Sequence, residues 1–436
     1  MQSLQLARRL YSSGSQSAAA KHFKVVVAGG GCGGCSVANR MANKLGQGQV
    51  CVVEPNDTHY YQPMWTLVGG GIKQFAQSGT RMVDLLPSKA EWLRTSVSRI
   101  DPESQAVTLA NGDKVTYDYL VVALGVQLLY GRIEGALDAL RNDPTVCSNY
   151  HPEFVLKTRP AFDLVQGGNA IFTFPNGPIK CPGAPQKIMY LLDDHLRERG
   201  IRDRVSVKYN TSLPVIFGVK KYAAALNKVC ERKGIEVNYR HNLVNVDWKN
   251  KRATFEHLDS NEKREFDYSF LHIAPQVGPL DIMAGSPLSL DGSGWVSVKK
   301  TSLQHEKYPN VFALGDCSNV PTSKTAAAVA SQASIVATNL SEVMAGRPAE
   351  KQIYDGYTSC PLVTSYKTVI MAEFDYNAQP LETFPLDQGK ERRSMYLMKT
   401  QLLPQVYWHG LVKGRWTGPA PLRKMFDLFR RTSKSA

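Results

Sequence analysis

The sequence contains no uninterrupted apolar stretch near the roughly 20 residues that a helix needs to cross a bilayer. Its N-terminus lacks the apolar core of a secretory signal, and its eight cysteines are scattered over 436 residues. Disulfide frameworks are typical of short secreted chains. These absences argue against a membrane-spanning helix and against a disulfide-stapled fold. Any cysteine pair with a functional role is therefore expected to be redox-active.

Acidic residues are scarce at both ends of the chain. Of the formal net charge of +14, +4 lies in residues 1–24, which contain no acidic residue, and +6 lies in residues 401–436, which contain one. A nucleic-acid-binding protein more often spreads basic residues over a face with interleaved aromatic side chains, so we predict no nucleic acid partner. Residues 1–21 contain Arg and Ser, which is typical of a mitochondrial transit peptide; a disordered tail is the alternative.

A glycine-rich turn follows the first apolar run of the sequence. Three valines at positions 25–27 lead into GGGCGG at residues 29–34, and a segment of helical composition and a second apolar run at 50–53 follow. Strand, turn, helix and strand in this order are the dinucleotide-binding fingerprint. Its glycines allow a tight turn, close approach of the backbone to a pyrophosphate, and packing of the helix on the strand. The matching residues are Gly29, Gly31 and Gly34.

Glu54 ends the second apolar run, 20 residues after Gly34. An acidic residue at about this distance accepts hydrogen bonds from the ribose hydroxyls of a dinucleotide, while the helix N-terminus holds the pyrophosphate. The complete fingerprint therefore predicts a bound dinucleotide rather than a glycine-rich turn without a ligand.

Strands and helices alternate along the rest of the chain, which predicts an α/β fold with two Rossmann-like dinucleotide-binding domains. The first domain is expected to be discontinuous and to comprise residues 22–156 and 280–354. The second domain is expected at residues 157–279, and residues 355–436 form a C-terminal region. Residues 1–21 precede the first domain.

Three segments resemble, in their order, the flavoproteins with two dinucleotide-binding domains. They are the first glycine turn, the apolar run VVALG at 121–125, and a strand that ends on Gly315-Asp316. In that class the aspartate contacts the ribityl chain of FAD. Backbone amides at the start of the next helix, here near residues 325–329, face the pyrimidine edge of the flavin and stabilise the negative charge of its reduced form.

The second domain lacks the fingerprint that a nicotinamide cofactor requires. After the strand predicted at Ala170–Phe174 the sequence reads PNGPIKCPGAPQK, without the triple-glycine spacing. We therefore expect no NADH site there. What the turn offers instead is the thiol of Cys181.

The cysteines differ in their surroundings. Cys32 and Cys35 form C-x-x-C inside the phosphate-binding turn, where their small size suits close packing. Cys181 and Cys360 each precede a proline in a loop outside any apolar period. The other four are expected in a buried strand, a polar loop, a helix and the last glycine turn: Cys51, Cys147, Cys230 and Cys317, respectively.

Residues 22–430 as a whole resemble the sulfide:quinone oxidoreductase family, in its animal mitochondrial form. The segments that carry the resemblance are THYYQPMWTLVGGG, NAIFTFPNGPIKCPGAPQKIMYL, LPVIFGVKKYA, GDCSNVPTSKTAAAVASQ, YDGYTSCPLVTSY and AEFDYNAQPLETFP.

By this resemblance, Cys181 and Cys360 are the catalytic redox pair on the sulfide-facing side of the flavin. Hydrosulfide, from hydrogen sulfide, attacks the disulfide or sulfur-bridged pair. Cys360 becomes the persulfide, and Cys181 is the thiolate that donates to the flavin C4a position. Lys180 and Lys187 are candidates for lowering the pKa of Cys181. A small thiol such as glutathione, or sulfite, takes the outer sulfur, and the flavin passes two electrons to ubiquinone.

The resemblance also implies the cofactor site. FAD is expected to be noncovalent, because no clear equivalent exists of the third cysteine that tethers FAD in bacterial relatives. No metal site is predicted. The expected FAD-binding residues are Gly29, Gly31, Cys32, Gly33, Gly34, Glu54, Gln62, Val97, Asp316, Ala326, Ala327, Ala328 and Val329.

The C-terminal sequence PLRKMFDLFRR predicts a basic amphipathic helix with Leu422, Met425, Phe426 and Phe429 on one side and Arg423, Lys424, Arg430 and Arg431 on the other. Such a helix lies in a membrane interface; packing on the protein core is the alternative. With ubiquinone as the acceptor, the helix implies a monotopic protein, peripheral on the mitochondrial inner membrane.

Two other functions stay open from the sequence. A type-II NADH:quinone oxidoreductase would also have two domains, FAD and a membrane interface, but the missing second fingerprint and the cysteine pair argue against it. The other is a non-catalytic, flavin-binding, membrane-associated protein.

Overall fold

The computed structural model describes residues 20–432. Most of the predicted transit peptide, residues 1–19, lies outside the described residues. So do the side chains from residue 429 onward, which include Phe429, Arg430 and Arg431 of the predicted amphipathic helix.

The strands are short and mostly buried. They are β1 (Lys21–Ala28), β2 (Val50–Val53), β3 (Thr58–Tyr60), β4 (Gly79–Arg81), β5 (Glu91–Leu93), β6 (Val97–Asp101), β7 (Ala106–Leu109), β8 (Lys114–Val122), β9 (Gln127–Leu128), β10 (Val146–Cys147), β11 (Gly168–Phe174), β12 (Val205–Thr211), β13 (Glu236–Tyr239), β14 (His241–Asp247), β15 (Arg252–His257), β16 (Lys263–Asp267), β17 (Phe270–His272), β18 (Val277–Gly278), β19 (Val311–Ala313), β20 (Thr358–Val363) and β21 (Val369–Phe374).

The helices are α1 (Cys32–Leu45), α2 (Trp65–Gly69), α3 (Met82–Leu85), α4 (Ala136–Asn142), α5 (Pro152–Val155), α6 (Thr158–Leu164), α7 (Ala184–Glu198), α8 (Lys220–Lys233), α9 (Ala326–Met344), α10 (Arg393–Leu397), α11 (Leu403–Gln405) and α12 (Ala420–Thr432). Two π-helical turns, Met398–Leu402 and Val406–Leu411, continue α10 and α11.

The first sheet has the strand order β5-β2-β1-β8-β7-β6, and β19 also pairs with β8. Strands β5, β2, β1, β8 and β19 run parallel, whereas β6, β7 and β8 are antiparallel neighbours. All four residues of β2 are buried, as expected of a parallel strand covered on both faces. Because β19 returns to this sheet after the second sheet has been formed, the first unit is discontinuous.

The second sheet is parallel throughout, with the order β10-β17-β11-β12-β13. Helix α7 connects β11 to β12, and α8 connects β12 to β13. The antiparallel strands β14, β15 and β16 form a separate sheet between β13 and β17. The predicted α/β fold with two Rossmann-like units is therefore confirmed. The parallel sheet also includes β10, which precedes residue 157.

Two cysteines occupy strands that the sequence did not predict. Cys147 ends β10 and is fully buried rather than in a polar loop, and Cys360 lies in β20 rather than in a loop. Strand β10 has only two residues, which is too short for a periodic pattern. Pro361 argued against a strand at Cys360, but β20 and β21 form a two-stranded hairpin, and proline is tolerated where a strand edge is unpaired.

One residue of α12, Arg423, lies on the opposite side of the helix from the side predicted. Arg423 turns toward the protein, where its Nη2 donates to Asp355 Oδ2 at 3.0 Å and its guanidinium lies 5.1 Å from the centre of the Tyr357 ring. Its predicted place on the outer basic side is wrong. The carboxylate and ring that attract it lie more than 60 residues earlier, so helical periodicity could not reveal them.

The other side of α12 is apolar and partly exposed. Met425 is 43% and Leu428 64% exposed, while the ring of Phe426 contacts that of Phe384 at a centroid distance of 6.0 Å. Within residues 20–432, no helix has the length and apolar character to cross a membrane.

Candidate active site

The first glycine turn is closed on one side and open on the other. Gly29 has a φ of +105°, and a Cβ there would lie 2.4 Å from the carbonyl oxygen of Ala123. A Cβ on Gly34 would lie 1.8 Å from the carbonyl oxygen of Gly29, whereas nothing lies within 4 Å of the Cβ position of Gly31. The turn therefore packs tightly against the protein and leaves room where a pyrophosphate would approach.

Donors and an acceptor flank this open side. Helix α1 begins at Cys32 without a side-chain cap, so its first amides, including that of Gly33, favour an anion. Glu54 is 8% exposed. Its Oε2 accepts a hydrogen bond from the Gly30 amide and its Oε1 accepts one from the Asn56 amide, both at 2.8 Å.

A second helix N-terminus lies beside the first, because α9 packs against α1. Helix α9 begins at Ala326, and the Oγ1 of Thr325 accepts a hydrogen bond from the Ala328 amide at 3.0 Å. The Val329 amide donates to the Thr325 carbonyl at 3.2 Å. The first amides of a helix have no intrahelical partner, which leaves those of Ala326 and Ala327 for a ligand.

Asp316 lies in a short 3₁₀ turn after β19. Burial raises the pKa of its carboxyl group, and the ammonium groups of Lys180 and Lys324 oppose that rise. Lys324 also donates to the backbone carbonyl of Asp316 at 2.7 Å. The carboxyl ends of β1, β2 and β19 thus bring an open glycine turn, two helix N-termini and two carboxylates to one edge of the sheet. These groups fit a dinucleotide.

Gln62 and Val97 occupy different positions relative to this edge. The Oε1 of Gln62 accepts a hydrogen bond from Lys180 Nζ at 2.7 Å, which connects Gln62 to the residue before Cys181. Val97 begins β6, pairs with Leu109 and is 6% exposed. Its side chain is packed in the core, so only its backbone could contact a ligand.

The structure brings Cys181 and Cys360 together, with their sulfur atoms 3.2 Å apart and without a disulfide bond. Cys181 lies in the turn after β11 with a φ of +52°, and Cys360 is fully buried in β20. Both lie at the N-terminal end of α7. A Cβ on Gly183, the residue before α7, would lie 3.3 Å from the sulfur of Cys360, so this close approach depends on glycine.

The pKa values of the two thiols are shifted in opposite directions. The pKa of Cys181 lies well below its usual value, because its sulfur accepts a hydrogen bond from the Cys360 thiol and, against the cost of burial, because Lys187 Nζ donates to it at 3.4 Å. The pKa of Cys360 is raised, because its thiol donates to Cys181 and because it is buried. Burial opposes the charge of Lys187, but the two cysteines outweigh burial and raise its pKa. These directions favour Cys181 over Cys360 as the thiolate.

Of the two lysines proposed from the sequence, Lys187 contacts Cys181, whereas Lys180 donates to Gln62. A third lysine was missed. Lys399 is 2% exposed and donates to the Pro63 carbonyl at 2.8 Å. Burial and the charge of Lys187 lower its pKa to about 7. A lysine flanked by apolar residues in YLMKTQLL was the one available signal.

The other cysteines lie outside this pair. The Cys35 thiol donates to the Gly30 carbonyl at 3.1 Å and is fully buried, as the packing interpretation of C-x-x-C predicted. Burial raises the pKa of Cys32 to about 12, so its thiol stays protonated. Cys51 and Cys230 lie in β2 and α8, as expected, and both are buried.

Known proteins resemble this chain over most of its length. Residues 23–158 match the family model of pyridine nucleotide-disulphide oxidoreductases. The mitochondrial sulfide:quinone oxidoreductase of Mus musculus is 47% identical over 418 residues, which cover 95% of this chain and 92% of the mouse protein. The chain belongs to the sulfide:quinone oxidoreductase family.

Two further comparisons agree with that membership. The mitochondrial sulfide:quinone oxidoreductase of Dictyostelium discoideum is 44% identical over 397 residues, with 91% of this chain and 87% of that protein covered. The crystal structure of sulfide:quinone oxidoreductase from Aquifex aeolicus matches with a TM-score of 0.77 at 20% identity, covering 94% of this chain and 95% of that one. At this identity the structural match shows a shared fold. Membership in the sulfide:quinone oxidoreductase family favours this function over the two alternatives.

Proposed function

We propose that this protein is an FAD-dependent sulfide:quinone oxidoreductase. It oxidises hydrogen sulfide at Cys181 and Cys360, passes two electrons to ubiquinone, and gives the oxidised sulfur to glutathione, a similar small thiol, or sulfite. The observation that carries the proposal is the 3.2 Å separation of the two sulfur atoms beside the Lys187 ammonium group. Family membership supports the activity.

In the first step, hydrosulfide attacks the sulfur of Cys360 in the oxidised pair. A bond forms between hydrosulfide and Cys360, the bond between the two cysteines breaks, and its electron pair leaves on Cys181 as thiolate. Lys187 stabilises this leaving group, because its ammonium donates directly to the Cys181 sulfur. The amides at the start of α7 favour the same negative charge.

In the second step, a thiolate acceptor takes the outer sulfur from Cys360 and leaves a thiolate there. Re-forming the cysteine pair then releases two electrons. The overall reaction, H₂S + RSH + quinone giving RSSH + quinol, balances in atoms and electrons. The flavin, when bound, accepts the two electrons from the cysteine side and delivers them to the quinone.

The family is one of flavin-dependent oxidoreductases, and we assign FAD, held noncovalently, to the edge of the first sheet. Its pyrophosphate would bind at the glycine turn and at α1, its ribose at Glu54, its ribityl chain at Asp316, and its pyrimidine edge at the start of α9. The supporting observations are the open space at Gly31 and the uncapped N-terminus of α1. We assign residues 22–156 and 280–354 to this domain, 157–279 to the domain of Cys181, and 355–436 to the C-terminal region.

We further propose that the protein acts on the mitochondrial inner membrane, as the mitochondrial relatives suggest, and reaches ubiquinone through α12 and the preceding helical segment. Each presents exposed large apolar side chains: Leu397, Leu402, Met425 and Leu428, which are 43–64% exposed. Exposed apolar side chains on a basic helix insert into the lipid interface.

An anaerobic titration of the purified holoenzyme tests the activity. We expect sulfide to bleach the flavin and a ubiquinone analogue to restore it, whereas NADH leaves it unchanged. Cys360→Ser and Cys181→Ser should lower turnover by at least about a thousandfold, as loss of a nucleophile does elsewhere. Cys230→Ser, at a buried cysteine of α8 outside the pair, is the control. Bleaching by NADH, or normal turnover in Cys360→Ser, would contradict the proposal.

Co-sedimentation with liposomes containing anionic lipid tests the membrane contact. The double variant Met425→Glu/Leu428→Glu should bind at least about tenfold more weakly, because two apolar contacts with the lipid are lost. Leu290→Glu, at a residue of similar exposure (49%) outside these helices, is the control. Equal binding by both variants would show that α12 does not contact the lipid.

A further inference from the structure

The redox pair and Tyr150 reach the same edge of the second sheet. Strands β10, β17 and β11 are parallel neighbours, so their carboxyl ends lie side by side. Tyr150 comes three residues after β10 ends, and the turn that carries Cys181 follows the end of β11. Ligands of open α/β sheets bind outside the carboxyl ends of the strands, and Tyr150 therefore lies where a ligand of this domain would be expected.

The hydroxyl group of Tyr150 is buried without a partner. The side chain is 5% exposed, and its oxygen has no hydrogen-bond partner among residues 20–432. The ring belongs to the same buried cluster as Ile179 and Cys360, and Cys181 packs against that cluster. Burying an unpaired hydroxyl lowers stability, so native structures rarely do it unless another group, such as a ligand, completes the hydrogen bond.

The charges around Tyr150 include those of the redox pair. Burial raises the pKa of the phenol, and the negative charges of Cys181, Tyr209, Tyr130 and Cys360 raise it further, with Cys181 contributing most among them. The hydroxyl thus stays protonated beside the redox pair. A protonated phenol next to anionic sulfur is a hydrogen-bond donor without a fixed acceptor.

We propose that the Tyr150 hydroxyl is a catalytic hydrogen-bond donor to the substrate sulfur at the Cys181–Cys360 pair, first to hydrosulfide and then to the outer sulfur of the Cys360 persulfide. This inference rests on the proposed function. In the step it assists, the bond between hydrosulfide and Cys360 forms, the bond between the cysteines breaks, and the electron pair leaves on Cys181. Tyr150 transfers no proton; its O–H stabilises the anionic sulfur.

Tyr209 supplies a matched control. It lies on β12, at the carboxyl-end half of the same sheet, and is fully buried like Tyr150. The cysteine that affects its pKa is Cys230 rather than a member of the redox pair. Substitution by phenylalanine at either position removes one buried hydroxyl group. The two positions differ because the charges of Cys181 and Cys360 raise the pKa of Tyr150, whereas that of Cys230 raises the pKa of Tyr209.

The test compares wild-type, Tyr150→Phe and Tyr209→Phe holoenzymes in sulfide kinetics and in cyanide-releasable sulfur per subunit after anaerobic treatment with limiting sulfide. For Tyr150→Phe we expect unchanged flavin content, a thermal midpoint no lower than that of wild type, a kcat/KM for sulfide about 10- to 100-fold lower, as expected for loss of one hydrogen bond to an anion, and less releasable sulfur. For Tyr209→Phe we expect values within about twofold of wild type.

Two results would overturn the inference: an unchanged kcat/KM in Tyr150→Phe, or an equal loss in both variants, which would mark a packing effect. Failure of the wild-type protein to take up sulfide would overturn the proposed function and this inference together. The two failures are distinguishable, because the proposed function fails only if the wild-type protein takes up no sulfide, whereas this inference can fail through the variants alone.

Discussion

The turns that follow β1 in the first sheet and β11 in the second form the same structural element but carry different chemistry. Residues 29–34 follow β1 and lead into α1, and residues 175–183 follow β11 and lead into α7. In the first turn, five of six residues are glycine, and the space at Gly31 is open for the proposed pyrophosphate. In the second, proline and lysine flank a cysteine. A helix N-terminus stabilises negative charge of either kind, so a fold that holds phosphate can also hold thiolate.

The largest effect is expected from Gly31→Ala, which adds a methyl group to the open side of the first turn. Nothing in the protein obstructs this Cβ, so the chain should fold normally while the methyl group occupies the space of the pyrophosphate. We expect flavin affinity to fall at least about 100-fold, comparable to overpacking by about 3 kcal/mol, with complete loss of sulfide oxidation. Flavin absorbance per protein measures the effect.

Gly218→Ala controls for the first variant, since its Cβ also has nothing within 4 Å but lies outside the turn. Full flavin content in Gly31→Ala would show that the first turn does not hold the pyrophosphate.

The same substitution in the second turn should separate thiol chemistry from flavin binding. A Cβ on Gly183 would lie 2.4 Å from Leu362 Cδ2 and 3.3 Å from Cys360 Sγ, so the side chains of Leu362 and Cys360 must shift. We expect normal flavin content and sulfide turnover lower by about 100-fold, as for a displacement of about 1 Å between reacting groups. Thiol counts before and after oxidation report whether the pair still closes. Loss of flavin in this variant would mean that the second turn is also needed for flavin binding, so the two turns would not have separate roles.

A smaller effect is expected when the charge beside the thiolate is removed. Lys187→Met keeps the buried volume but deletes the ammonium that donates to Cys181. The pKa of Cys181 should rise, because a neighbouring cation favours the thiolate. The pH at which iodoacetamide begins to label Cys181 in the reduced enzyme should therefore move upward, and turnover near neutral pH should fall at least about tenfold. Lys187→Arg should restore part of both values; a labelling profile that does not move would mean that Lys187 does not set the thiolate.

The smallest effect concerns Lys399, whose pKa of about 7 is set by burial and by Lys187. Below that pH the ammonium is charged and lowers the pKa of Cys181, and above it this stabilisation is lost. Labelling of Cys181 should therefore show a two- to threefold inflection near pH 7, roughly the influence of a second, indirect charge. Lys399→Met should abolish the inflection. Its persistence in that variant would assign it to another group.

The sequence predicted those parts of the site whose geometry is local. The glycine spacing of residues 29–34 and the acid at Glu54 belong to one βαβ unit, so their roles follow from the order of residues. Lys187 is six residues from Cys181, within two turns of helix. By contrast, Lys399 and Arg423 reach their partners, and Tyr150 its buried position, only through tertiary packing, and no periodicity in their own segments indicates this.

The pairing of Cys181 with Cys360 joins residues that lie 179 positions apart, and the residues alone did not reveal it. Both precede proline, which set them apart from the other cysteines, but their proximity was implied by the family resemblance. Cys360 was wrongly expected in a loop for a related reason. Its strand, β20, pairs with β21, and the residues around Pro361 do not by themselves indicate that pairing.

The cysteine pair spans 179 residues of chain, which gives its redox state a thermodynamic consequence for the whole molecule. Closing a loop of that length removes enough freedom from the unfolded chain to contribute about 5 kcal/mol in the chain-entropy description of cross-links. Under the proposed mechanism, each cycle opens and re-closes this cross-link. The persulfide form, in which the cross-link is open, would then be less stable against unfolding than the closed form, and an abundant sulfur acceptor would shorten the time spent in it.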